Sequence, residues 1–240
     1  MKIFVTKKFF YINLLILIFM FTINCTNYTK EQSNYNSILQ KKYSKAQAFL
    51  IKKKYKKALS KFEDFNKNYP YNHYTENTHV NLIYLNYKNK KFLTSLVLAN
   101  DFIQTYNASP YTDYIYYIKI MSELSLDNNT LQNLLKINKN FCNPFYIQLA
   151  IDDMEILFKN FPKSRFIKIL KPNSNYIKKR SMNFKLNIIK FLFKNNMYLL
   201  TIKKSLEFIK LYSNKTESNF VKVMLKQIIY KINFDTETNF

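Results

Sequence analysis

A five-position stripe recurs four times along this chain, and it leaves little choice of fold. Tyr55, Ala58, Phe62, Phe65 and Tyr69 fall at steps of three, four, three and four, the spacing that lines one face of an α-helix. The same steps join Phe92, Ser95, Ala99, Phe102 and Tyr106, then Ile147, Ala150, Met154, Leu157 and Phe161, then Tyr198, Thr201, Ser205, Phe208 and Tyr212. The second position is small in every copy: Ala, Ser, Ala, Thr. A small side chain there lets two helix axes approach closely, which a large one would prevent.

Each stripe helix has a partner upstream. Tyr43, Ala46 and Leu50 precede the first, and Val80, Ile83 and Tyr87 precede the second at the same offset. Tyr114, Tyr117, Met121 and Leu124 make the third partner. Asn175 to Lys194 makes the fourth, and Phe220 to Ile232 a final helix. Pro70, Pro110, Pro162 and Pro172 mark helix ends, because proline lacks the amide a helix interior needs. The chain has no glycine, so asparagine is expected at left-handed cap positions, as at Asn89 or Asn195. No alternating β-pattern competes. The expectation is an all-α chain, a tetratricopeptide-like α-solenoid of about five helix hairpins over residues 41–233, with a tail over 234–240. Successive copies start 37, 55 and 51 residues apart, against about 34 in the standard unit, so insertions separate the later ones.

The formal net charge is +23, which ordinarily suggests an anionic partner. Two observations argue against nucleic acid. Glycine and tryptophan are absent while Lys, Asn, Ile, Tyr and Phe abound, a pattern of AT-rich codons that brings lysine with it. Only Arg165 and Arg180 among the 38 basic residues are arginine, whose planar fork is what base and phosphate recognition favours. The lysine-rich stretch Lys53–Pro70 is therefore a packing helix with a solvated basic face.

Residues 1–24 read as an export signal. Lys2, Lys7 and Lys8 form a positive start, and Phe9 to Ile23 form an apolar run of 15 residues. That run is short for a membrane span, which takes about 20, and suits a signal peptide. It stops at Cys25, which resembles a bacterial lipoprotein cleavage site, where the thiol receives a diacylglyceryl group and becomes the mature N-terminus. Thr22-Ile23-Asn24 departs from the usual approach to that site, and an uncleaved signal anchor with an incidental cysteine is the alternative. Thr26 is not the aspartate associated with inner-membrane retention. Residues 25–40 are expected to be a flexible, lipid-anchored tether. Cys142 is the one other thiol and has no partner once Cys25 is lipidated.

No catalytic or metal motif emerges. His73 and His79 are six residues apart, not the four that would align a metal pair on a helix, and both are expected near the surface after Pro70. A phosphate loop cannot form without glycine. Asp152, Asp153 and Glu155 read as solvated carboxylates on a stripe helix. No cofactor is expected beyond the covalent lipid. Aromatics are dense in Ser109–Leu124, and Tyr114, Tyr116 and Tyr117 cannot all face one seam. Some are expected to be exposed and to anchor a bound peptide.

Three segments carry a family resemblance: "NYPYNHYTENTHVNLIYLNYKN" (Asn68–Asn89), "SPYTDYIYYIKIMSELSLD" (Ser109–Asp127) and "KNFPKSRF" (Lys159–Phe166). In order and spacing the chain from Ile38 to Tyr212 resembles the BamD family of tetratricopeptide lipoproteins. The resemblance implies a non-catalytic scaffold on the periplasmic face of the outer membrane. It would bind the periplasmic domains of the barrel-forming subunit BamA and unfolded β-barrel substrates, with room for accessory lipoproteins. It places the BamA contact at Lys204, where the family carries arginine, so one charge is kept and the bidentate fork is lost. Tyr69 and Tyr116 are further partner-binding candidates. The loop Leu134–Pro144 departs from the acidic, glycine-containing loop of the family. A general periplasmic adaptor for envelope or division machinery is the alternative reading.

Overall fold

The computed structural model describes residues 32–128 and 142–237, and every regular element among them is helical. The helices are α1 (32–51), α2 (Tyr55–Asn68), α3 (Thr75–Lys88), α4 (Phe92–Thr105), α5 (Thr112–Asp127), α6 (Phe145–Asn160), α7 (Arg165–Lys194), α8 (Tyr198–Leu211) and α9 (Thr216–Glu237). They fall into two compact units, one ending at Asn89 and the other beginning at Lys90.

The stripes are where the sequence puts them. Their small second residues, Ala58, Ser95, Ala150 and Thr201, are all fully buried. The fourth residues Phe65, Phe102, Leu157 and Phe208 are buried beside them. Fully burying each such side chain contributes about 1.5–3 kcal/mol. The fifth residue closes each helix. Tyr69, Tyr106, Phe161 and Tyr212 are the C-caps, and each donates its backbone N–H to the carbonyl of the fourth stripe residue at 2.8–3.0 Å. One set of positions thus supplies packing face, close approach and helix end. Close approach is directly visible between α4 and α5, where Ser122 Oγ lies 3.2 Å from Ser95 Oγ while donating to the Ile118 carbonyl at 2.8 Å.

In the first unit an aromatic cluster sits beside an aliphatic core of Leu39, Leu59, Ile83 and Leu85. Tyr43 of α1 stacks on Tyr74 with centroids 4.2 Å apart and meets Phe62 and Phe65 edge-on at 5.6 and 5.7 Å. Such geometry adds about 0.5–1.5 kcal/mol per pair beyond burial. Helices α2 and α3 pack together, and α3 is entered through an Asn72 turn whose side chain accepts from Tyr74 N–H. In the second unit each of α4 through α9 packs on the next along the chain. The long α7 serves two cores. Its first half joins Ile120, Ile147, Met154 and Leu157, and its second half joins Phe208, Val221 and Met224.

Several expectations are corrected. Residues 32–40 are helical with Leu39 buried, so α1 starts inside the expected tether, and α9 runs to Glu237, beyond residue 233. Pro172 does not end a helix; α7 is continuous across it from Arg165 to Lys194. Pro172 costs the helix interior one backbone hydrogen bond, and buried residues on both sides, Leu170 and Ile177, hold the helix to the core across it. Asn89 and Asn195 are not left-handed. Both sit at negative φ and donate their side-chain amides to the carbonyls four residues back, Leu85 and Phe191, at 2.7 Å. The positive φ falls one residue later, at Lys90 (62°) and Asn196 (57°), and also at Lys53 (54°). Leaving αL to lysine twice is a consequence of having no glycine to place there.

Candidate functional site

Lys204 stands on α8 at the exposed edge of the Thr201–Phe208 seam, about one turn from each of those residues. Its side chain is 46% exposed and its Nζ lies 2.8 Å from Glu207 Oε2, one turn further on. That hydrogen bond holds the Glu207 carboxyl below the usual carboxylate range. The pair sits at a cleft of about 270 Å³ between α7 and α8, with Phe184, Ile188, Phe208 and Leu211 as its apolar wall and Lys185 beside them. Leu199, Leu200 and Leu206 leave α8 exposed as well, Leu199 at 83%. Chemically the cleft offers two ammoniums, Lys185 and Lys204, beside the Glu207 carboxylate and an apolar wall, a set suited to a carboxylate with an apolar neighbour.

Tyr69 belongs to the first unit and is half-buried. Its ring packs on Phe65 at 5.5 Å and meets Tyr35 at 6.3 Å. Tyr116 is half-buried too, against Phe161 and beneath Lys119, whose Nζ lies 6.0 Å from the ring centre. Burial, then the charge of Asp153, raises its hydroxyl above the ordinary tyrosine value. The expectation that some of Tyr114, Tyr116 and Tyr117 would be exposed is corrected: all three pack against the core cluster of α5, α6 and α7, with Phe166 seated against Tyr114 and Tyr117. Tyr116 and Lys204 border different core clusters of the second unit and are not brought together. Cys25 lies outside the described residues.

Two features escaped the sequence reading. A cleft of about 740 Å³ in the first unit is lined by Gln32, Ser33, Asn36, Ser37, Gln40, His73 and Tyr74. Among the described residues none of those that line it is a lysine, arginine, aspartate or glutamate. Its signal was the lysine-free run Gln32–Gln40, which had been assigned to the tether. The second feature is a set of buried charges. Asp153 is not solvated but buried, 2.7 Å from Lys119 Nζ, while Asp152 and Glu155 are exposed as expected. Arg180 forks onto Asp127 through Nε at 3.0 Å and Nη2 at 2.7 Å. His73 is exposed and rests on Tyr74, whereas His79 lies mid-helix in α3, half-buried against Asn66. Burial lowers the His79 value from its ordinary one. No group of metal-ligating side chains occurs among the described residues, and no helix there is long and apolar enough to cross a membrane.

Comparison with known proteins decides the family. A family model described as "Outer membrane lipoprotein", YfiO, matches residues 37–234. The chain belongs to the YfiO family of outer membrane lipoproteins. Within it, the chain is similar to two proteins named outer membrane protein assembly factor BamD. It is 28% identical over 192 residues to the one from Pasteurella multocida, covering 80% of this chain and 74% of the relative. It is 28% identical over 224 residues to the one from Buchnera aphidicola, covering 92% and 90%. The YfiO match begins inside α1 and ends inside α9, so membership spans both units.

Proposed function

We propose that this protein is an outer-membrane protein assembly factor of the BamD type, a non-catalytic scaffold held at the periplasmic face of the outer membrane by a lipid on Cys25. In this reading the α8 surface around Lys204 docks on the periplasmic domains of BamA. Unfolded β-barrel substrates are received elsewhere on the chain, with Tyr69 and Tyr116 offering ring edges to them. The carrying observation is the likeness to a relative of that name along about nine-tenths of both chains. The arrangement at Lys204 is compatible with docking: an exposed cation beside apolar side chains makes a surface without a reacting group.

Glu207 shapes this proposal. A partner carboxylate approaching Lys204 must replace Glu207, so the internal pair lowers the net gain from docking. Affinity purification from native envelope, with mass spectrometry of the eluate and of the mature N-terminus, tests the reading. BamA in the eluate and a lipidated Cys25 are expected. Recovery with division or peptidoglycan machinery in place of BamA would contradict it. Cys25→Ser should release the protein from membranes, and its persistence there after carbonate washing would remove the anchor.

A further inference from the structure

Glu123 stands inside the second unit, on α5, with no exposed surface. Among the described residues no donor reaches either of its carboxyl oxygens. Its neighbour is another acid, Asp153 of α6, itself 6% exposed and tied to Lys119 at 2.7 Å. Two ionised carboxylates and one ammonium would leave a net negative charge in a core of Ile120, Ile147 and Met154. An uncompensated buried charge of that kind is strongly unfavourable. A proton on Glu123 removes the excess charge and supplies the hydrogen bond that Asp153 can accept.

We propose that α5 and α6 close on a single proton held by Glu123 and donated in a hydrogen bond to Asp153 beneath Lys119, forming a pH-sensitive latch. The charged groups acting on Glu123 are Asp153 and Asp152 from α6 and Lys119 from its own helix. The neighbouring α7 places Arg180 on Asp127 and Lys178 on Glu155, and α4 carries only Asp101, which is exposed. Burial first, then the charge of Asp153, pushes Glu123 up to about 9 from an ordinary 4.5. The folded value lies above the unfolded one, so the unfolded chain binds fewer protons between them. The stability contributed by this proton is therefore complete below about pH 4.5 and is lost progressively as pH rises toward 9. Loss of the proton loosens the α5–α6 seam, which also carries Tyr116.

The test compares the full-length protein in detergent with Glu123→Gln by denaturant unfolding from pH 5 to 9. The ratio of the two folding constants is expected to move in favour of Glu123→Gln by up to about tenfold per pH unit. Hydrogen exchange in α5 and α6 should accelerate with pH, beyond its intrinsic dependence, in the wild type alone. Asp153→Asn gives a second arm: freed of the competing charge, Glu123 pairs with Lys119 and the slope flattens. Parallel pH curves for wild type and Glu123→Gln would overturn the latch. Should Glu123→Gln not fold, an unchanged slope in Asp153→Asn would overturn it equally.

Discussion

The first unit joins α1, α2 and the entry to α3 with a cluster of rings, whereas the α5–α7 seam of the second is built around charges. Tyr43, Phe62, Phe65 and Tyr74 interlock without a carboxylate, lysine or arginine among them. Between α5, α6 and α7 lie Lys119, Glu123, Asp127, Asp153 and Arg180. Both solutions join amphipathic helices, but they should respond differently. Rings pack by area and shape and are indifferent to pH. Buried charges add little net stability over apolar residues of the same shape, yet are costly to orphan.

The largest effects should come from breaking each core in its own currency. Arg180→Ala leaves Asp127 buried and unpaired, and a loss of about 3–5 kcal/mol is expected in urea unfolding. Pairing Arg180→Met with Asp127→Leu should restore most of that loss, which no ring substitution would do. Phe62→Ala in the first unit should lose about 3–5 kcal/mol through its cavity, by an amount that stays constant between pH 5 and 8. A pH-dependent loss at Phe62 would erase the contrast between the two regions. Next in size, Ala58→Leu should destabilise by about 1–3 kcal/mol, because the approach made possible by a small residue admits no extra methylenes. A smaller gain, about 1 kcal/mol, is expected for Lys90→Gly, which relieves a positive φ that lysine adopts at a penalty. Thermal unfolding would read it, and Asn89→Gly should give no such gain. Least of all, Lys204→Glu should move stability by under about 0.5 kcal/mol, while weakening recovery of BamA.

These contrasts also explain what the sequence could and could not reveal. Spacing determines which residues share a helix face, so the stripes and their burial were readable down to the capping residues Tyr69, Tyr106, Phe161 and Tyr212. Ionic partners depend on which helix arrives opposite, and that information is non-local. Asp153 sits one residue before the stripe position Met154 and looked like its solvated neighbour Asp152, until α5 brought Lys119 and Glu123 against it. Arg180 and Asp127 are 53 residues apart, too far for any local pattern. Pro172 misled because a local rule was applied to a helix held by tertiary packing on both sides. At the candidate site, Lys204 came from family likeness and Glu207 went unnoticed, since an i, i+3 pair on an exposed face looks like ordinary solvated charge. The cleft beside α1 was hidden because the lysine-free stretch 32–40 reads as tether rather than helix.

Docking through α8 is the claim on which the functional account turns, and a photo-crosslinker placed at residue 204 in intact cells probes it most directly. The account predicts an adduct with BamA from position 204, lost when the probe is moved to Asp101 on α4. BamA adducts from α4 with none from 204, in a protein that still co-purifies with BamA, would contradict it.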